Sequence, residues 1–596
     1  MKHTLHSLFL ALATLFPLVV SAASGIEIRK TNGEIYQLAN SDIQSLTFSG
    51  ANALLTSASG TSVTIGRSEI REIVPIDNVA EAYTVTYDGT SATVVNPYLL
   101  RGVTTSIQGG YVTTTNTNTS DELTFTLTGT TTDGGYEYNG SYKCTLQFDN
   151  ANITSQQGAA VNILCGKRIA VVVNGSNTLK DYASGSQKAA LYFKGHPEFE
   201  GSGLLTITGT AKHALSTNEY LQLKKSFGTL SILGAANDGI HAGQYFKMNG
   251  GTVNVRNVKG DGIQAEATDN ADDELNGQMI INGGYIDVLC DANGTYTLSG
   301  TTVETSSVAC LKSDALMTLA GGNITLKTTG KGGKGISTDG ALVIGATDTE
   351  GPTIVATTTG AAVYSTGRDV SGGAKAIKAD GDITIHSGTI TATTSQNGGE
   401  GIESKANFVI NGGTIVCNTY DDGLNATGGF TFNGGLVWSR SSNNDGIDAN
   451  GTSGFTFNGG IVLSSGASAP EEGFDCDNNS FVINGGTLIG TGGATSNPTR
   501  ATQPYSVQSR LSLTSNTYVS LVKADGTVIC SYRVPNTLSS ATVLVSSPEF
   551  QSGTSHRLVR NVTSVSNPTA SYLDGAFVVG GTISGGTSTS FTPTTR

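Results

Sequence analysis

The sequence predicts an all-β chain organised as a parallel β-helix, a solenoid, with small β modules at its amino- and carboxy-terminal ends. Three observations lead there. First, one phrase recurs: a charged residue, Gly, an apolar residue, any residue, a small residue. It runs from Asp238-Gly239-Ile240-His241-Ala242 through Asp261-Gly262-Ile263, Lys334-Gly335-Ile336, Glu400-Gly401-Ile402, Asp422-Gly423-Leu424 and Asp445-Gly446-Ile447 to Glu472-Gly473-Phe474. Its apolar members are mostly about 22 to 27 residues apart, the period of a solenoid repeat. Second, an Asn-Gly-Gly corner is interleaved at Asn249, Asn282, Asn411, Asn433, Asn458 and Asn484, after alternating residues such as Phe408-Val409-Ile410. Each unit reads strand, corner, strand, charged turn, strand, with no helical periodicity between. Asn and Gly both tolerate positive φ at such corners, and Asn can stack into a hydrogen-bonded ladder. Third, 596 residues with 78 Gly and 14% charged residues fit many tight corners and depart from an average globular composition.

In chain order, Lys2, the apolar run from Leu8 to Val20 and Ser21-Ala22-Ala23 read as a secretory signal peptide over residues 1–23. A protein secreted, or held at the cell surface or in the periplasm, is therefore expected. No later run reaches the roughly 18 apolar residues of a membrane span. Residues 24–78 alternate as short strands with a hairpin at Asn32-Gly33, a small amino-terminal β module. Residues 79–495 are the solenoid. Its first repeats, from Tyr83 to about Gly201, are irregular, as terminal repeats that hide an open end should be. Longer spacings from Glu266 to Gln278 and from Asp348 to Ala374, the second with Tyr364 and Arg368, read as loops from one corner. Residues 496–596 resume strands around an Asp525-Gly526 turn and predict a β cap or module. Seven scattered cysteines fit no zinc site, and their odd count leaves at least one unpaired; buried apolar side chains are expected in preference to a disulfide framework. A net charge of -13 opposes phosphate backbones, so no nucleic acid partner is expected; an acidic polysaccharide can still bind through divalent cations. A monomer is expected.

Stacking the repeats in register makes two columns. Two places before the apolar residue stand Asp238, Asp261, Lys334, Lys375, Glu400, Asp422, Asp445 and Glu472; one place after it stand His241, Gln264, Lys312, Ser337, Lys378, Glu403, Asn425, Asp448 and Asp475. Strand parity turns the second column outward, with rungs about 4.8 Å apart. In the last four repeats the face gathers Glu400, Glu403, Asp421, Asp422, Asp445, Asp448, Glu471, Glu472 and Asp475. Carboxylates so close repel unless a cation sits between them, and hard oxygen donors suit Ca2+. Any one of these acids reads as a solvated turn residue; the column reads as a metal site. The strongest set is Asp445 and Asp448 with Asp421 or Asp422 one repeat before and Glu472 or Asp475 one repeat after. Asp238 with Asp261 is a second pair. For sugar contact the candidates are Trp438 with Arg440 beside it, Tyr420, Tyr364 and Lys378. Trp438 reads equally as interior filling, and for Tyr285 filling is the better reading. His241 and His386 lack the partners expected of a catalytic dyad or a zinc site.

The phrases NDGIHA, GDGIQAE, GKGGKGI, AKAIKADGDITIHSGTI, GGEGIES, YDDGLNA and NNDGIDA, most followed by Asn-Gly-Gly, resemble a family of secreted bacterial carbohydrate-binding proteins. That family has a right-handed, single-stranded parallel β-helix related to calcium-dependent pectate lyases. The resemblance covers roughly Tyr83 to Gly490 and extends to the segment after residue 505. It implies binding of plant cell-wall polysaccharides such as pectin or cellulose, with calcium in the repeats. Lyases of this fold hold calcium with an acidic pair, a carboxylate three residues on and one from the preceding repeat. Asn444-Asp445-Gly446-Ile447-Asp448 with Asp421 approximates that set, and Asp421-Asp422 with Glu400 does so less well. Such lyases also need a basic residue to take a proton. No Lys occurs from Ala406 to Val522, Arg440 would serve only if its loop folds back, and Lys378 and Lys405 lie on earlier repeats. The expected function is a secreted, calcium-binding, non-catalytic polysaccharide-binding protein for acidic or cellulosic glycans, with no catalytic residue assigned. The alternatives are a calcium-dependent pectate lyase-like enzyme and a structural or adhesive surface solenoid.

Overall fold

The computed structural model describes residues 23–300, 302–364 and 372–596. The expected signal peptide, apart from Ala23, and Arg368 fall outside the described residues. The fold is all-β with large mixed sheets, and the helical turns among the described residues are single 3-10 turns such as Leu99–Arg101. Among the described residues no helix is long and apolar enough to cross a membrane. The chain forms two compact units, Met1–Ala236 and Asn237–Arg596.

In the first unit, Gly25–Lys30 pairs antiparallel with Glu34–Ala39 and Ile70–Ile76. A small sheet of Ile43–Ser49, Asn52–Ser57 and Ser62–Gly66 packs with them over Ile28, Leu38, Leu55 and Leu99. Glu34–Ala39 also pairs in parallel with Ser91–Asn96. The first strands thus share both a core and a ladder with residues beyond 78, because their own apolar face is too small to close. Two parallel ladders follow. Leu123–Thr131 leads to Cys144–Thr154 and Arg168–Asn174, and Gly110–Asn116 leads to Gly134–Gly140, Val161–Ile163 and Ala189–Phe193. Val103–Gln108 lies antiparallel on Gly110–Asn116 and occupies the first edge of the second ladder.

In the second unit like strands pair with like, one repeat to the next. Glu400–Ser404, Leu424–Ala426, Ile447–Ala449 and Phe474–Asp475 form one parallel ladder. Phe408–Ile410, Gly429–Phe432, Gly454–Phe457 and Phe481–Ile483 form another, and Thr414–Thr419, Leu436–Ser441, Ile461–Ser465 and Thr487–Gly492 a third. The register sets Ile402 on Leu424, Leu424 on Ile447 and Ile447 on Phe474, all buried. Phe432 and Phe457 stack with ring centroids 4.6 Å apart and planes 8° from parallel. The seven cysteines are buried and unpaired, as expected.

The corners explain their own residues. Asn433 donates to Asn411, Asn458 to Asn433 and Asn484 to Asn458, each through Nδ2 to Oδ1 at 2.8 Å. Gly435, which follows Asn433-Gly434, has φ +84°, a conformation that costs an L side chain energy. Gly446 is required for a different reason, because a Cβ there would lie 2.1 Å from Ser464 Oγ and 2.8 Å from the Ser465 backbone nitrogen. The parallel ladder ends where Leu538–Ser546 lies antiparallel on Thr487–Gly492, with Tyr505–Leu513 on its other side.

Gly446→Ala should therefore force neighbouring repeats apart. The expected loss is about 1–3 kcal/mol of stability, the usual cost of overpacking, read as a lower melting temperature.

Candidate functional site

The predicted column is present in register, but it is not outward throughout, since Glu403 and Asn425 within it are buried. His241 pairs with Gln264, Gln264 with Lys312, Lys312 with Ser337, Ser337 with Lys378, Lys378 with Glu403, Glu403 with Asn425, Asn425 with Asp448 and Asp448 with Asp475. Its charge changes sign along the stack, basic at Lys312 and Lys378 and acidic beyond Glu403.

The column two places before the apolar residue has a structural use that sequence reading missed. Each aspartate accepts a backbone N–H from the next repeat. Asp238 Oδ1 takes that of Asp261 at 2.8 Å, Asp261 Oδ1 that of Ala309 at 2.7 Å and Asp422 Oδ1 that of Asp445 at 3.1 Å, and Asp445 Oδ1 takes that of Glu472. These hooks draw the carboxylates inward, so Asp422 and Asp445 are buried. Asn425 Nδ2 then bridges Asp422 Oδ2 at 2.9 Å and Asp448 Oδ2 at 3.2 Å. As a result Asp422, Asp445 and Asp448 each bring a carboxylate oxygen within 4.8 Å of the others.

The electrostatics of this trio are one-sided. Burial drives the Asp445 carboxyl up to about 8, helped by Asp475 and Asp448 and opposed by the Glu472 amide. Burial, then Glu400 and Asp448, lifts Asp422 well above the carboxylate range, and burial with Asp475 lifts Asp448. Glu472 is pushed up to about 7 by burial and Asp475. Among the described residues no Lys or Arg forms an ion pair with the trio. Buried carboxyls in such a group need protons or a cation, and an all-oxygen donor set fits Ca2+.

The other expected ligands lie outside the trio. Glu472 Oε2 accepts Ser496 Oγ at 2.9 Å, and Asp475 Oδ1 accepts the Asp477 N–H at 2.9 Å. Asp421 is half-buried, and its carbonyl accepts Thr419 Oγ. Glu400 and Glu403 are matched by lysines instead. Lys375 contacts Glu400 and lies 3.5 Å from Glu403 Oε2, and Lys405 contacts Glu403. Asp261 faces Lys312 at 3.5 Å. His241 corrects the expectation that it lacks partners, since Nδ1 lies 3.1 Å from Asp238 Oδ2 and Nε2 3.0 Å from Glu266 Oε2.

Three expectations are corrected, two of sugar contact and one of interior filling. Trp438 stands in the outward column Val416, Trp438, Leu463, Ile489, which the carboxy-terminal strands cover, so it packs against their apolar cluster rather than offering its face to a ligand. Arg440 is held in the same closure, donating to Asn536 Oδ1 at 2.9 Å and Asn418 Oδ1 at 2.8 Å. Tyr285 is 61% exposed, not interior filling, because Ile286 takes the inward position after the corner. Tyr420 is half-buried, Tyr364 lies 5.3 Å from Tyr296, and Lys378 is paired to Asp380 at 2.5 Å.

One cavity went unnoticed in the sequence. In the first unit, Tyr111, Tyr136, Tyr192, Glu137, Asn162 and Gln187 line a space of about 480 Å³. Asn162 Nδ2 donates to Glu137 Oε2 at 3.0 Å, and Lys188 Nζ lies 5.3 Å from the Tyr192 ring centre. Aromatic faces beside an amide and a carboxylate suit a sugar ring. The signal was the register of Glu137, Asn162 and Tyr192, hidden by the irregular spacing of these first repeats.

No curated protein matches the sequence. Among solved structures, a polysaccharide lyase-like protein from C. thermocellum, determined as a gadolinium derivative, is similar at 16% identity and a TM-score of 0.30, over 52% of this chain and 93% of that one. So slight a likeness has no bearing on the site. The sequence profile of the carbohydrate-binding domain-containing proteins matches residues 108–448 and 399–543. These overlapping stretches span well over half of the 596 residues, and the chain belongs to that family.

Proposed function

We propose that this chain is a secreted, calcium-binding, non-catalytic protein that binds polysaccharide, of the plant cell-wall type such as pectin or cellulose. We read its repeats, residues 79–495, as a right-handed single-stranded parallel β-helix closed by residues 496–596. Family membership supports a polysaccharide partner. The observation that carries the metal is the trio Asp422, Asp445 and Asp448, three close carboxylates to which no Lys or Arg among the described residues is paired. Calcium there would neutralise the trio and offer open coordination positions to hydroxyl or carboxylate oxygens of a glycan.

Three outcomes test this. Without metal, the native trio holds protons that the unfolded chain releases near pH 4, so ν_N exceeds ν_U and stability should fall as pH rises from about 4 towards 8. Calorimetric scans in EDTA across that range read the fall directly, and calcium should reverse it.

Calcium at a hundredfold excess over its Kd should raise the melting temperature of the second unit by about 3 °C. Asp445→Asn with Asp448→Asn should abolish that rise while making the metal-free protein more stable at pH 8, since the repulsion is gone. A rise of unchanged size in the double variant would refute the assignment.

With polygalacturonate and calcium, the protein should sediment with the polymer without generating the ultraviolet absorbance of unsaturated uronides. New absorbance would make it a lyase, and neither signal would leave a structural solenoid.

A further inference from the structure

We propose that a lysine-lined cavity in the second unit is a metal-independent anion site, which receives a carboxylate of an acidic saccharide. The cavity has a volume of about 630 Å³, and Lys312, Lys334, Lys375, Lys378 and Lys405 line it. Asp339 and Glu403 are its acidic members, so five ammonium groups meet two carboxylates in a chain whose net charge is -13. The register explains the concentration. Lys334 pairs with Lys375 on the adjacent strand, and Lys312 and Lys378 flank Ser337 in the outward column.

Four of the five have counter-ions. Lys312 pairs with Asp261, Lys375 with Glu400 and Glu403, Lys378 with Asp380, and Lys405 with Glu403. Lys334 differs. Its ammonium bonds to Ser307 Oγ, and among the described residues no carboxylate forms an ion pair with it. Burial, with Lys378 and Lys375 nearby, pulls it down to about 8. Glu403 and Asp261 lie near enough to favour its charge, yet among the described residues this half-buried ammonium, beside two others, has a hydroxyl and no carboxylate in direct contact. Thr305, Ser306 and Ser337 add hydroxyls around the same space. Hydroxyl donors and ammonium groups around a small-molecule-sized cavity are the donor set for a carboxylate. Naming a uronate as its source rests on the polysaccharide-binding reading above; the anion chemistry does not.

The test is isothermal titration of the full chain in EDTA with tetragalacturonate and with its methyl ester. The acid should bind, and the ester should bind at least about tenfold more weakly, the effect of one charge-assisted contact. Lys334→Gln should weaken the acid about tenfold, as should Lys378→Gln, while Lys334→Arg retains most of the affinity. Acid binding unchanged in both Gln variants overturns the proposal and leaves polysaccharide binding intact. Failure of the broader reading looks different, as neither saccharide binding even with calcium. Sodium sulfate then decides: a melting temperature raised in the wild type but not in Lys334→Gln upholds the cavity as an anion site, and equal behaviour overturns it.

Discussion

Register between repeats is the constraint on which the rest depends, and the hydrogen bond from a turn amide to the carboxylate one repeat earlier is its most specific expression. A slip of one residue would turn every apolar side chain outward. Backbone ladders alone do not forbid such a slip, since any residue can donate and accept. The amide of Asp445, however, finds its acceptor only when Asp422 lies directly beneath it. The asparagine ladder through Asn411, Asn433, Asn458 and Asn484 imposes the same phase at another corner.

The same hooks create the chemistry. Each consumes one carboxylate oxygen and draws the side chain out of water, so acids that would be harmless at a solvated turn become buried neighbours. Where lysines stand close, Lys375 on the adjacent strand and Lys405 just past the end of the same one, the charge of Glu400 and Glu403 is matched within the protein. At Asp422, Asp445 and Asp448 no Lys or Arg among the described residues is paired with the carboxylates, and burial holds their protons on instead. One architecture thus gives two opposite environments along a single face, decided by which residue type occupies equivalent places.

Much of this was legible in the sequence, because a strict repeat converts spacing into adjacency. The pairing of Asn425 with Asp448 and of Asp448 with Asp475 follows from counting alone. What counting could not reach were contacts made by parts outside the repeat. Trp438 and Arg440 sit in correctly read strands, yet what covers them, the apolar cluster of the carboxy-terminal strands and Asn536, comes mostly from the chain about a hundred residues later. Side-chain choice was equally hidden. Nothing in the spacing distinguishes Glu400, which turns to Lys375, from Asp422, which turns to an amide and Asn425.

The reversal of chain direction at Leu538–Ser546 bears on how copies of this protein can meet. A stack of identical parallel strands offers its last rung as a template for another molecule, the geometry of fibre growth. Here Thr487–Gly492 is already taken by a strand running the other way, and Tyr505–Leu513 fills that strand's far side. That rung is thereby spent within one polypeptide, and along this ladder a second copy finds no free edge to extend.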